Sequence, residues 1–196
     1  MHITKTGYLI CTFLLTILPL PSIASGTMDK DEARGVSRTD VVSEKDRQRI
    51  SITAGLLADY EIAGKKLIAN LDSSTATADG VSNQAKNLLS LSEDVIKSAQ
   101  FRLPQCDEYL AKTLTLKNSL QEISHDSLEK DYHHDGGLPK APGECYHTKD
   151  LFVHPATVIV LTRDDPSLNA ETRASIHSEI AEVLGHTEIV RQLVIY

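Results

Sequence analysis

The sequence contains no tryptophan and only two methionines and three cysteines among its 196 residues, and aromatic residues make up 5% of it. Any hydrophobic core must therefore be built mainly from aliphatic side chains. The scarcity of methionine argues against a Met-rich copper(I) site and a Met/His haem ligand pair. The chain also lacks C-x-x-C-H, P-loop, G-x-G-x-x-G and G-x-S-x-G sequences, so the usual signals for covalent haem, nucleotide binding and serine hydrolases are missing.

Positive charge is scarce as well. The chain has 20 lysines and arginines against 27 aspartates and glutamates, which gives a formal net charge of −7. A general nucleic-acid binder carries a basic surface, and electrostatic attachment to anionic lipid also needs basic residues. We therefore expect neither a nucleic-acid partner nor an electrostatic hold on a membrane surface.

The N-terminal region has the pattern of an export signal. The apolar run Tyr8–Leu20 follows the charge of Lys5 and precedes a group of small residues that includes Ala24. At 13 residues the run is shorter than the ~20 residues of a membrane-spanning helix. We predict a signal peptide at residues 1–24, a flexible segment at 25–43 and a single helical domain at 44–196. The mature protein would be secreted, or periplasmic in a Gram-negative source, with no stable membrane insertion.

Two cysteines remain after removal of that segment, Cys106 and Cys145. In an oxidising compartment they are expected to form a disulfide. The bond would close a loop of about 40 residues and contribute roughly 3–4 kcal/mol in the chain-entropy model. Metal binding by the two thiolates is the alternative, and the absence of a closely spaced cysteine pair argues against it.

Apolar residues recur at three- and four-residue steps in several segments, which predicts an all-α fold. We expect a first helix over Ser43–Leu71, a second that ends near Ala99, a third that begins at Pro104 and a last one that Asn169 caps. The last helix carries the most regular apolar stripe, at Ile176, Ile180, Val183, Thr187, Val190 and Val194. Together these segments predict a four- to five-helix up-and-down bundle.

One long connection interrupts this pattern. The segment His125–Glu144 contains Gly136-Gly137 and two prolines, which predicts mostly loop. The apolar run after the loop is β-branched, but no second strand is available to pair with it. We therefore interpret the run as a short buried helix that starts at Pro155.

Histidine is distributed unevenly. Seven of the eight histidines follow residue 124, and the hundred residues before them contain none. Imidazole is the commonest metal ligand in proteins. We predict that the histidine-bearing loop and the residues after it bind a divalent transition metal, Zn²⁺, Cu²⁺ or Ni²⁺. The proposed ligands are His133, His134, His147, Asp131 and Asp135. Solvated loop histidines without a metal are the competing interpretation.

The remaining histidines are interpreted as structural. His154 lies in an apolar run and is expected to be a buried, hydrogen-bonded core residue or a helix cap. His177 and His186 are nine residues apart on one helix, so they face opposite sides and cannot share a metal. Glu182 is expected to pair with His186 on the surface, and Glu179 to lie on a solvated face.

Two functions fit these observations. The first is an exported helical-bundle protein that binds a transition metal through its histidine-bearing loop. The second is a non-enzymatic stress or chaperone-like protein that binds a protein partner or forms homo-oligomers. Protonation of its histidines would lower its negative charge and make it respond to pH. Since no nucleophile–base pair is recognisable from spacing, we do not expect an enzyme.

Overall fold

Every regular element is a helix in the computed structural model, which describes residues 42–196. The α-helices are α1 (Glu44–Leu71), α2 (Ala78–Ala99), α3 (Asp107–Leu114), α4 (His125–Leu128), α5 (Glu144–Asp164) and α6 (Ala170–Ile195). The described residues contain no strand, so the predicted all-α class is confirmed. Six helices are close to the expected number, and the up-and-down order stays a prediction. The predicted signal peptide, residues 1–24, lies outside the described residues.

The four long helices pack in a ring in which α1 contacts α2 and α6, and α5 contacts the same two helices. Three of them begin at a polar side chain that accepts the backbone N–H of the third residue after it. These caps are Ser43 for α1, Thr77 for α2 and Asn169 for α6. Such caps satisfy N–H groups that have no partner within the helix. Local sequence therefore sets where these helices start, as predicted for Asn169.

The packing of α6 follows its predicted apolar stripe, since all six residues of the stripe are at most 2% exposed. On the facing helix α1, a β-carbon at Gly64 would lie 2.9 Å from Cδ2 of Leu184. The two helices approach closely at this point, where the Leu184 side chain packs over the glycine.

Helix α5 differs most from the prediction. Residues 148–160 are all buried, because α5 is covered by α2, α3, α4 and α6. Pro155 lies inside this helix, so the predicted start at Pro155 is wrong. Proline cannot donate to the carbonyl four residues earlier, that of Leu151. The Tyr60 hydroxyl on α1 donates to this carbonyl at 2.8 Å, and so the helix continues through the proline without an orphaned carbonyl.

The predicted third helix is shorter than expected. It consists of α3 with a 3₁₀ turn on each side, Pro104–Cys106 and Thr115–Asn118. The hydroxyl of Thr115 donates to the Lys112 carbonyl, and such side-chain bonds compete with helix continuation. The expected disulfide between Cys106 and Cys145 is present and ties the start of α3 to the start of α5.

The segment predicted as mostly loop is helical over its first half. After α4 the chain forms a π-helical turn, Glu129–His133, which ends where Gly136 donates its N–H to the Lys130 carbonyl. A β-carbon at Gly136 would lie 2.6 Å from that carbonyl oxygen, so the turn requires glycine. Within residues 42–196, no helix has the length and hydropathy needed to cross a membrane.

Candidate metal centre

Three polar residues on one face of α5 form the middle of the candidate site. His147, Asp150 and His154 are spaced three and four residues apart, which places them on the same side of the helix. Asp150 and His154 are 0% exposed. A buried carboxylate and a buried imidazole are costly unless hydrogen bonds or a bound cation compensate for the lost water.

Two further histidines reach this face from other elements. His186 comes from α6, where the buried stripe directs one side of the helix toward α5. His133 comes from the π-helical turn, and its ring centroid lies 4.8 Å from that of His154. The centroids of His147 and His186 are also 4.8 Å apart, and those of His154 and His186 are 5.5 Å apart. Four imidazoles therefore form a continuous row over Asp150.

The first ligand group consists of His147, Asp150 and His186, whose ligand atoms all lie within 4.8 Å of one another. His186 Nδ1 lies 3.2 Å from Asp150 Oδ2, but the two atoms are not aligned as a hydrogen bond. In a tetrahedral Zn²⁺ site with bonds of ~2.0 Å, two ligand atoms are roughly 3.3 Å apart. The separation of the two atoms is therefore that of neighbouring metal ligands.

Buried atoms of this group lack hydrogen-bond partners. They are His147 Nδ1, His186 Nδ1 and both carboxylate oxygens of Asp150. Buried polar atoms without a partner are rare in folded proteins, and each one calls for an explanation such as a bound ion or water.

The second ligand group consists of His133, Asp150 and His154, again within 4.8 Å. Each histidine is held by an outer carboxylate: His154 Nδ1 lies 2.7 Å from Glu179 Oε2, and His133 Nδ1 lies 2.8 Å from Glu129 Oε2. An ionised carboxylate can only accept, so the proton of each ring is on Nδ1. In neutral rings this leaves the Nε2 lone pairs free, and His154 Nε2 is buried without a partner.

A third group consists of Glu129, His133 and Glu179, whose ligand atoms also lie within 4.8 Å of one another. Both of its glutamates already accept imidazole N–H groups. Metal-bound histidines commonly donate their second ring N–H to a carboxylate in this way. We therefore interpret Glu129 and Glu179 as positioning residues for His133 and His154.

The pKa shifts of His147 and Asp150 favour metal binding. Burial, followed by the neighbouring His186, lowers the pKa of His147, which favours the neutral ring that a metal requires. For Asp150, burial alone would raise the pKa. The close contact with the His186 ring, at 3.2 Å, and the charges of Lys149 and His154 outweigh burial and lower the pKa of this carboxyl. A neutral imidazole next to an ionised carboxylate is the ligand combination of many Zn²⁺ sites.

Lys149 fixes the π-helical turn beneath the cluster. Its fully buried ammonium donates to the carbonyls of Tyr132 and His133, at 2.9 and 2.8 Å, and to Asp135 Oδ1 at 3.0 Å. Tyr109 donates to the same oxygen of Asp135 at 2.7 Å. These bonds satisfy the end of the turn, and they hold His133 against α5.

The structure brings together only part of the predicted ligand set. His133 and His147 belong to different groups that share Asp150. His134 is exposed and stacks on His133 with centroids 5.4 Å apart. Asp135 accepts the bonds from Lys149 and Tyr109, and the Asp131 carbonyl accepts the Gly137 N–H. Within residues 42–196, none of these last three residues belongs to a ligand group.

Sequence reasoning missed Asp150, His154 and His186 as ligand candidates. The interpretation of His154 as buried and hydrogen-bonded is confirmed, but it left out the second ring nitrogen. The expected surface pairing of His186 with Glu182 is wrong, because His186 faces Asp150. The prediction that Glu179 lies on a solvated face is also wrong, since its carboxylate binds His154. The spacing of His147, Asp150 and His154 indicates a common helix face, but only if one helix is assumed to continue through Pro155.

No protein-family model matches this chain, and no curated protein or solved structure matches it either.

Proposed function

We propose that this protein is an exported metal-binding protein that holds a divalent transition-metal ion through His147, Asp150 and His186. The unpartnered buried atoms of these three side chains carry the proposal. Imidazole nitrogens prefer Zn²⁺, Cu²⁺ and Ni²⁺ over the oxygen-seeking Mg²⁺ and Ca²⁺. A set of two histidines and one carboxylate is typical of Zn²⁺ sites that keep a further position open.

The open position suits a protein that takes up and releases its ion. Three protein ligands leave room for water or for a ligand from another molecule, so the ion can exchange without unfolding of the bundle. Export is supported by the Cys106–Cys145 disulfide, which is a feature of oxidising compartments, and by the signal-like pattern of residues 1–24.

Metal titration of the chelator-treated protein tests this proposal. The protein is purified without a polyhistidine tag and titrated with Zn²⁺ in a calorimeter. We expect binding tighter than about 1 μM. The variant His186→Gln should weaken binding by more than the roughly 100-fold that loss of an outer-shell partner can cost.

The matched control is His177→Gln, because His177 is an exposed histidine on the same helix. This variant should bind like the unaltered protein. If the unaltered protein fails to bind Zn²⁺, Cu²⁺ and Ni²⁺ below about 1 μM, the proposed function is wrong. The search would then turn to protein partners and acid response. Equal losses in both variants would place the ion elsewhere.

A further inference from the structure

We propose that the cluster is a two-metal centre, in which Asp150 bridges the ion at His147 and His186 to a second ion at His133 and His154. This inference rests on the proposed function and adds a second site to it. The two ligand groups share Asp150, and each contributes two imidazoles from different parts of the chain. Carboxylates that bridge two ions need one free oxygen for each.

Both oxygens of Asp150 lack an aligned hydrogen bond, and Oδ1 forms an ion pair with Lys149. Both oxygens are buried. Oδ2 lies beside His186, as described above, and Oδ1 lies 3.1 Å from the Lys149 ammonium. An ammonium has three N–H groups, and those of Lys149 bind Tyr132, His133 and Asp135. Lys149 therefore forms an ion pair with Oδ1 without an aligned hydrogen bond, and a second ion would share this oxygen with the ammonium.

The second pair of histidines is prepared for a metal by its outer carboxylates. Glu129 and Glu179 hold the Nδ1 atoms of His133 and His154 and leave the Nε2 atoms free. A carboxylate behind a metal-bound histidine fixes the ring and raises its basicity. Within residues 42–196, no outer carboxylate is hydrogen-bonded to His147 or His186, so the two halves of the centre are chemically distinct.

The local charge also accommodates two ions. Within residues 42–196, four carboxylates lie in or next to the cluster, those of Glu129, Asp135, Asp150 and Glu179, and the ammonium of Lys149 is bound among them. With neutral histidines, these five groups carry three negative charges. One divalent cation leaves a net charge of −1, and two leave +1, which a bridging hydroxide brings to zero. Unpaired charge is costly at a site that is largely removed from water.

Metal stoichiometry and the coupling between the ions test the two-metal centre. Chelator-treated protein is loaded with Cu²⁺, free metal is removed, and bound copper is measured by mass spectrometry. We expect two ions per chain. In two-metal sites the ions lie about 3.5–4 Å apart. Two Cu²⁺ ions bridged at that distance couple magnetically, so the ordinary electron paramagnetic resonance signal should be largely lost.

The variant His133→Gln should reduce the stoichiometry from two ions to one and restore the signal of an isolated Cu²⁺. The matched control is His134→Gln, which alters the exposed neighbour of His133 and should keep two coupled ions. Circular dichroism verifies that both variants are folded. If His133→Gln fails to fold, Glu179→Gln replaces it, and the expected result is preferential loss of the second ion.

The outcomes separate this inference from the proposed function. One ion per chain in the unaltered protein overturns the two-metal centre and leaves the proposed function intact. Two ions that show no magnetic coupling overturn the Asp150 bridge. No bound ion overturns both proposals. Two coupled ions that survive in His133→Gln would move the second ion away from His133 and so contradict the assignment.

Discussion

Two sets of buried polar groups in this protein differ in how completely they are hydrogen-bonded. In the first set, which lies on and around α1 and α2, the hydroxyl of Thr53 bonds to Arg49 and Ser98, and that of Ser92 donates to Leu89. Tyr60 satisfies the carbonyl released by Pro155. In the second set, seven side-chain atoms within residues 129–186 are buried without a partner, and most of them surround Asp150.

This difference shows that the fold is able to satisfy its buried polar groups where they serve structure. The Leu151 carbonyl is satisfied by a residue 91 positions away in sequence. Around Asp150 the nearby histidines could have been aligned with the carboxylate. The contact between His186 Nδ1 and Asp150 Oδ2, at 3.2 Å, is nevertheless not a hydrogen bond. Leaving such atoms unpaired costs ~1–3 kcal/mol each. We infer that bound metal compensates for this cost at the unpartnered atoms of His147, Asp150, His154 and His186.

The largest effect on folding stability is expected when an orphaned group is created in the satisfied set. Tyr60→Phe removes the donor to Leu151 and leaves a buried carbonyl without a partner. The free energy of unfolding should fall by about 2 kcal/mol. Urea denaturation of both proteins, followed by circular dichroism, measures this loss.

A double-mutant cycle with Pro155→Ala supplies the control. Alanine restores the backbone N–H that bonds to Leu151 within the helix. The cost of Tyr60→Phe should therefore fall below about 1 kcal/mol in the Pro155→Ala background. An equal cost in both backgrounds would show that the tyrosine stabilises the protein in some other way.

A smaller effect is expected from the outer carboxylate of the unsatisfied set. Glu179→Gln weakens the hold on His154, because an amide is a poorer acceptor than a carboxylate for the imidazole N–H. Affinity for the more weakly held metal ion should drop at least about tenfold, or ~1.4 kcal/mol. Calorimetric titration with Zn²⁺ measures the change.

The control for this variant is Glu182→Gln, which lies on the exposed face of the same helix. It should bind Zn²⁺ like the unaltered protein. If both variants lose affinity equally, the effect comes from net charge, and Glu179 has no special role in positioning His154.

Local sequence predicted the parts of the fold that depend on local interactions. Capping at Asn169 and the buried stripe of α6 depend on residues within one helix. The Cys106–Cys145 disulfide followed from the number of cysteines, and the concentration of histidines after residue 124 indicated the correct half of the chain. These features need no knowledge of how the helices pack.

The rest depends on tertiary contacts. Pro155 is tolerated inside α5 because Tyr60 arrives from another helix, and no pattern near the proline shows this. The prediction for His186 uses its spacing along α6, whereas Asp150, which it contacts, lies on α5. Lys149 is a charged residue that is 0% exposed, and its burial follows from the three acceptors provided by a π-helical turn and Asp135. The sequence therefore indicates only part of the candidate site, because most of its side chains come from α5 and α6.

The smallest effect is expected at Asp165, where a satisfied polar group lies outside the buried core. Its carboxylate accepts hydrogen bonds from Ser167, Thr172 and the backbone of Asn169, which lower its pKa from 3.8 to about 2. A carboxyl with a depressed pKa stabilises the folded state above its ordinary pKa, and the contribution is lost as the pH falls from about 4 toward 2. Asp165→Asn should therefore lower the urea midpoint at pH 6, and the difference from the unaltered protein should disappear near pH 2.

The exposed Asp59→Asn is the control, with no such pH-dependent difference expected. A difference for Asp165→Asn that stays constant down to pH 2 would show that the charge of this residue is unimportant, and that hydrogen bonding alone stabilises the turn before α6.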